Sequence, residues 1–93
     1  MISKVILISH KEGEIKKFLN KYENKKIEPE NSFYWKKEFS NPIEITEMIA
    51  AFVDNINNFN IMMWITLDKN IFIKISPLNS NEIIKYLFER YPY

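Results

Sequence analysis

The sequence predicts an α+β domain: a two-layer sandwich in which a mixed four-stranded sheet packs against three helices. Segments with apolar residues at every position, or at every second one, alternate with segments whose apolar residues recur every three to four positions. Their order along the chain is β-α-β-α-β-β-α. A length of 93 residues suits a single compact domain, and we therefore assign residues 1–93 to one unit.

The first strand and helix are predicted from residues 4–22. The stretch KVILIS is apolar on both faces, which is typical of a central strand that is covered on both sides or paired in parallel. Helical spacing then places four apolar residues on one face: Ile15, Phe18, Leu19 and Tyr22. Ser9 and Glu12 have the spacing of a capping box, which marks the start of this helix.

A second strand and helix follow the same plan. The stretch SFYWKKEF alternates and is rich in aromatic residues, as strands are. Asn41 as N-cap, Pro42 at the first helical position and Glu44 closing a capping box then predict a helix that runs to about Asn58. The predicted inner stripe of this helix is Ile45, Met48, Ile49, Phe52 and Ile56. The stripe is widened by Ala50, Ala51 and Val53, so this helix either packs on two sides or meets a partner.

The last three elements are predicted to be a hairpin and a helix. Strands over Ile61–Leu67 and Ile71–Ser76 flank Asp68-Lys69-Asn70, a turn of suitable length and chemistry. Asn79 or Ser80 caps the final helix, which Pro92 ends. Its predicted buried stripe is Ile84, Leu87, Phe88 and Tyr91. The two helical crossovers are expected to bring parallel or same-sheet strands together.

Alternation in the hairpin separates an all-aliphatic face from a mixed face, which we call the second face of the sheet. Its hairpin residues are Met62, Trp64, Thr66, Phe72, Lys74 and Ser76. The preceding strand adds either Tyr34 and Lys36 or Trp35 and Lys37. So much Trp, Phe and Met on an exposed surface is unusual for a monomer, and these residue types are enriched at interface centres.

Three interpretations of the second face compete. A helix or loop covers it and makes it core, a second copy or another protein binds it, or it stacks unpaired nucleic-acid bases on its aromatic rings. A net charge of +1 and a single arginine argue against nucleic acid. We predict a partner-binding surface made of Tyr34, Lys36, Met62, Trp64, Phe72 and Lys74.

The corner between the first strand and helix is a second candidate site. It holds Ser9, His10 and Lys11 where the carboxyl end of a strand meets a helix N-terminus, a position that favours anions. His10 is the only histidine, and no set of acidic residues has convincing metal-ligand spacing. We therefore predict no catalytic residues, no metal and no cofactor, and the chain is more consistent with a non-enzyme.

Composition also bears on location. The chain has no cysteine, whereas a secreted domain of this size usually carries disulfides. No apolar run approaches the roughly 20 residues of a membrane span. We expect a cytoplasmic protein that does not insert into membranes.

The C-terminal half, "MMWITLDKNIFIKIS…NEIIKYLFERYPY", resembles small proteins of unknown function from low-GC Gram-positive bacteria. This resemblance implies no activity. The sequence thus predicts a protein-interaction module that self-associates as a homodimer or binds a protein partner. The alternative is a nucleic-acid-binding domain that uses the aromatic and lysine residues of the second face.

Overall fold

The computed structural model describes residues 3–23, 26–68 and 71–90. Its elements are β1 Ser3–Ser9, α1 Glu14–Glu23, β2 Tyr34–Phe39, α2 Pro42–Asp54, β3 Ile61–Leu67, β4 Ile71–Ile75 and α3 Asn81–Arg90. This order confirms the predicted α+β class with four strands and three helices. The predicted turn residues Lys69 and Asn70, and Tyr91 and Pro92 at the C-terminal end, lie outside the described residues. No helix in the described ranges has the length and apolar character needed to cross a membrane.

The four strands form one sheet in the order β2-β1-β3-β4, and all three neighbouring pairs are antiparallel. The prediction of a mixed sheet was therefore wrong in strand direction. The segment between α1 and β2 brings the chain back to the end of the sheet where β1 finishes. Tyr34 pairs with Ile8 there, and the Ser9 N–H donates to the carbonyl of Phe33 at 3.0 Å.

The main core lies between one face of the sheet and the helices α1 and α2. It contains Val5 and Leu7 of the inner strand β1, both fully buried. The other buried residues of this cluster are Ile15, Phe18, Leu19, Phe39, Ile45, Met48, Phe52, Ile61, Met63 and Ile65. Both the helical stripe of α1 and the inner stripe of α2 contribute, as their spacing predicts.

Helix α2 begins where the sequence predicts and ends earlier. Asn41 is its N-cap and accepts a hydrogen bond from the Ile43 N–H at 2.9 Å, with Pro42 at the first helical position. The helix ends at Asp54 instead of continuing to about Asn58. The Asn55 side chain donates to the carbonyl of Ala51 at 2.9 Å, and asparagine side chains that bond to the backbone in this way compete with helical hydrogen bonds.

Helix α3 lies on the opposite side of the sheet from α1 and α2. Tyr86 and Arg90 line a cleft together with Ile8 and Tyr34, whose side chains project away from the main core. Ile83 is fully buried outside the α1/α2 cluster. The predicted stripe of α3 was wrong, because Ile84 and Phe88 are 38% and 56% exposed. Two overlapping apolar stripes run along this helix, and the stripe that begins at Ile83 faces the sheet.

Candidate protein-interaction surface

Cross-strand pairing determines which residues share the second face with Trp64. Ile6 of β1 lies opposite Lys36 on one side and opposite Trp64 on the other. Trp64 in turn lies opposite Lys74. Directly opposite residues in antiparallel strands project to the same face. Lys36, Ile6, Trp64 and Lys74 therefore form one row across all four strands, and Tyr34 lies on the same face of β2.

The alternative pair, Trp35 and Lys37, lies on the face that α1 and α2 cover. These two residues pair with Leu7 and Val5 of the main core. Trp35 packs against that core, and the Lys37 ammonium lies 5.0 Å from the centre of the Phe39 ring. Of the two pairs that alternation left open, only Tyr34 and Lys36 belong to the second face.

Helix α3 covers one end of the second face. Ile8 and Met62 lie opposite each other in the sheet and are only 3% and 4% exposed. Tyr34, on the other side of Ile8, is half-buried. Of the six residues predicted to bind a partner, Met62 is thus part of the protein interior. The interpretation of this face as core holds for this end alone.

The uncovered end of the second face carries a packed aromatic pair. The rings of Trp64 and Phe72 meet edge to face, with centroids 5.7 Å apart. The Lys74 ammonium lies 5.0 Å from the centre of the Trp64 ring and 5.9 Å from that of Phe72. Phe72 is nevertheless 53% exposed. Such an arrangement presents apolar area to solvent in a fixed geometry.

Trp64 is the most buried member of the cluster that it forms with Phe72 and Lys74. The residue is half-buried, and its Nε1 atom is buried with no hydrogen-bond partner within residues 3–23, 26–68 and 71–90. The indole N–H thus points into the protein, and the ring cannot turn outward without losing its contacts with Phe72 and Lys74. Within this cluster, Phe72 and Lys74 are exposed and pack on Trp64, and Lys36 is exposed further along the same face.

The two edge strands of the sheet differ in chemistry. At the β2 edge, Lys36, Lys37 and Glu38 are all exposed. At the β4 edge, Phe72 is exposed on one face and Ile73 is 38% exposed on the other, and the exposed Lys74 is the single charged residue of the strand. Charged residues on an edge strand oppose pairing with another chain, whereas an apolar edge favours it. The β4 edge, defined as residues 71–75, is the edge that can accept another strand.

Sequence reasoning missed Ile73 as a candidate site residue, because alternation assigns it to the face covered by helices. Its exposure results from the position of β4 at the end of the sheet. Strand order was the missing information. The signal that remains in the sequence is the stretch IFIKI, in which a single charge interrupts an otherwise apolar strand.

In the second candidate site, Ser9 is fully buried and its hydroxyl bonds to the backbone. The hydroxyl donates to the carbonyl of Asn60 at 2.5 Å and accepts from the Lys11 N–H at 3.1 Å. These bonds join the end of β1 to the residue before β3. They favour a structural role for Ser9, because its hydrogen is already committed to a protein acceptor.

The helix that follows this corner begins later than the capping box predicts. Helix α1 starts at Glu14, after Gly13, whose φ of 86° favours glycine. The Glu14 carboxylate accepts from the Asn60 side chain at 2.7 Å. A negative charge already lies in the first turn, where an anion would otherwise be attracted. Lys11 is exposed, and His10 is half-buried.

We expect Ser9→Ala to lower the free energy of unfolding by about 2 kcal/mol, because it leaves the Asn60 carbonyl and the Lys11 N–H without their partner. Ser40→Ala, at an exposed position, is the matched control and should change stability by less than about 0.5 kcal/mol. Urea denaturation measures both values. A Ser9→Ala protein as stable as the wild type would contradict a structural role for the hydroxyl.

The groups with shifted pKa values lie outside both candidate sites. Burial, together with Glu47, Glu23 and Glu44, raises the pKa of Tyr22, which lines a cleft between α1, β2 and α2. A hydrogen bond from Lys16 lowers the pKa of Glu28. Among the described residues, no group of three or more His, Asp or Glu side chains could hold a metal ion. The candidate sites are therefore described by their apolar packing and by their charged side chains.

Comparison of the chain with protein-family models, with curated proteins and with solved structures gives no match. The resemblance of the C-terminal half to small Gram-positive proteins therefore stays a prediction. On the surface of the molecule, Phe72 and Ile73 are exposed apolar residues that adjoin each other on one edge strand.

Proposed function

We propose that this chain is a small cytoplasmic protein-interaction module that self-associates and has no enzymatic activity. The observation that carries the proposal is the β4 edge, where Phe72 and Ile73 are exposed on opposite faces of the same strand. Trp64 and Lys74 extend this surface along the uncovered end of the second face. Large exposed aromatic and aliphatic side chains are typical of binding surfaces.

Backbone chemistry supports the same conclusion. An edge strand has one side of its N–H and C=O groups unpaired within the sheet, and a strand from another chain can satisfy them. The charged residues of β2 oppose such pairing at the other edge. Apolar side chains on both faces of β4 would be covered at the same time as its backbone is paired. Main-chain bonds and side-chain burial thus favour the same contact.

The contact area limits the expected affinity. Strand β4 has 5 residues, so an interface built on it is smaller than the standard interface of stable complexes. The packing of Phe72 against Trp64 reduces the entropy lost on binding, because the rings are already ordered. We expect a dissociation constant on the order of 10–100 µM for the wild-type dimer.

Two features support a non-enzymatic protein in the cytoplasm. The only histidine adjoins Ser9, whose hydroxyl is bonded to the backbone and so is not presented to a substrate. The chain contains no cysteine, which is unusual for a small domain of an oxidising compartment. Neither feature points to a reaction or to a secreted protein.

Replacing Phe72 by alanine is expected to raise the dissociation constant of the dimer at least about tenfold, because truncating an aromatic side chain at the centre of an interface costs about 2 kcal/mol of binding free energy. Val53→Ala is the matched control, since Val53 is 47% exposed on α2, away from β4. Sedimentation velocity from about 10 µM to about 1 mM measures all three proteins. A wild type that stays monomeric throughout this range would contradict self-association.

A second candidate function is the binding of single-stranded nucleic acid. The observation in its favour is the row that places Lys36 and Lys74 on either side of Trp64. The structure supports it less well, because the Lys74 ammonium covers the Trp64 ring on which a base would stack. This candidate requires oligonucleotide binding that weakens steeply with salt. Fluorescence anisotropy at low salt tests it.

A further inference from the structure

We propose that two copies of the chain join through their β4 strands, which pair antiparallel about a two-fold axis at Ile73. This inference rests on the proposed self-association and specifies its geometry. The stretch Ile71-Phe72-Ile73-Lys74-Ile75 has isoleucine at its first, central and last positions. Paired with an inverted copy of itself, the strand therefore places isoleucine opposite isoleucine at every odd-numbered position.

Symmetry restricts the registers that are available. A two-fold axis perpendicular to the sheet keeps each face continuous between the copies, so even-numbered residues lie opposite even-numbered ones. With the axis at Ile73, all 5 residues of β4 find partners. With the axis at Phe72 or at Lys74, only three of them do. The axis at Ile73 thus gives the largest number of main-chain hydrogen bonds.

Charge favours the same register. With the axis at Ile73, Phe72 of each copy lies opposite Lys74 of the other. Within one chain the Lys74 ammonium already lies 5.9 Å from the centre of the Phe72 ring, so the cation–aromatic contact would be repeated across the interface. An axis at Lys74 would instead place two ammonium groups directly opposite each other, which is destabilising.

The opposite face adds an aliphatic contact. Ile73 is 38% exposed at the end of the sheet, and the axis would place it against Ile73 of the second copy. Directly opposite side chains lie about 4.5–5.5 Å apart between their Cβ atoms. Both faces of the strand would therefore lose exposed apolar area on the same contact, which distinguishes strand pairing from the stacking of one sheet face on another.

Such a dimer would be closed. Its continuous eight-stranded sheet would end in a β2 strand on each side, and the exposed residues of that strand include Lys36, Lys37 and Glu38. Charged outer edges oppose the addition of further strands. The two-fold contact uses the same surface on both copies, so it leaves no free β4 edge for growth into a fibre. The expected assembly is a dimer alone.

Single-cysteine variants test this geometry, because the natural chain has no cysteine. At the two-fold axis the Cα atoms of opposite residues lie about 4.5–5.5 Å apart, within the range that a disulfide spans. Under mild oxidation we expect Ile73→Cys to form disulfide-linked dimers. Ile43→Cys, at an isoleucine that is 66% exposed on α2, should stay largely monomeric.

Mixed oxidation tests the register. An equimolar mixture of Phe72→Cys and Lys74→Cys should yield heterodimer well above the half of all dimers that random pairing gives. Dominant Phe72→Cys homodimers would overturn the axis at Ile73 and leave β4 pairing intact. A third outcome is a wild type that sediments as a dimer while Ile73→Cys cross-links no faster than Ile43→Cys. That result would contradict pairing through β4 and leave self-association intact. Monomeric wild-type protein at all concentrations would remove both proposals.

Discussion

Phe18→Ala is expected to lower the free energy of unfolding by about 3–5 kcal/mol. Phe18 is 1% exposed, and three rings surround it. Those of Phe52 and Phe59 meet it edge to face at 5.5 and 5.8 Å, and Tyr22 stacks on it at 6.1 Å. Alanine would leave a cavity between α1 and α2 that these neighbours cannot close. The whole free energy of unfolding of a small domain is only about 5–15 kcal/mol, so this loss is severe.

Thermal unfolding by circular dichroism measures the effect, and we expect the midpoint to fall by roughly 15–30 °C for a domain of this size. Phe72→Ala is the control, because it makes the same chemical change at a ring that is 53% exposed. At a low protein concentration, where the protein is monomeric, Phe72→Ala should lower the free energy of unfolding by less than about 1 kcal/mol. Equal losses in the two variants would show that the core is not centred on Phe18.

Phe72→Lys is expected to weaken the dimer about 100-fold, whereas Phe72→Glu should retain it within about fivefold. In the proposed register residue 72 lies opposite Lys74 of the second copy, and the two-fold axis creates this pair twice. A lysine there meets like charge, and a glutamate meets opposite charge. Sedimentation velocity measures the dissociation constant of each variant and of the wild type, and the ratio of each variant's constant to that of the wild type gives the weakening.

The double variant Phe72→Lys with Lys74→Glu controls for simple loss of the aromatic ring. It places lysine opposite glutamate again and should recover most of the affinity that Phe72→Lys loses. Both positions are exposed, so folding should be preserved. Equal weakening by Phe72→Lys and Phe72→Glu would contradict the pairing of residue 72 with residue 74. It would indicate instead that Phe72 contributes through its apolar area only.

Local signals in the sequence predict much of the fold. The stretch of β1 that is apolar on both faces predicts an inner strand, and the order β2-β1-β3-β4 places β1 inside the sheet together with β3. Asn41 and Pro42 locate the start of α2 because capping depends on neighbouring residues alone. The strands of the hairpin are confirmed for the same reason, since period-two alternation and a polar turn are local features.

Properties that depend on distant parts of the chain were not predictable. The direction of β2 relative to β1 is set by the segment after α1, whose composition does not reveal where it returns to the sheet. Helix α3 has two overlapping apolar stripes, and either of them could be its buried side. Only the burial of Ile83 in the structure distinguishes them. The role of the Ser9 hydroxyl likewise depends on Asn60, a residue far along the chain.

The candidate surface was predicted in part. Trp64, Phe72 and Lys74 lie together as alternation in the hairpin indicates. Met62 was assigned to the same surface but lies in the interior, because α3 covers its end of the sheet. Ile73 was missed because its exposure follows from the edge position of β4. The placement of α3 thus removes Met62 from the predicted surface, and the strand order adds Ile73 to it.

The most direct test of self-association through β4 is a pair of amide ¹H–¹⁵N correlation spectra of the wild-type protein, recorded at about 20 µM and about 1 mM. We predict concentration-dependent shifts in β4, from Phe72 to Ile75, and in the adjoining β3, with β2 and α2 unchanged. Identical spectra at the two concentrations, or shifts centred on β2 or α2, would contradict it.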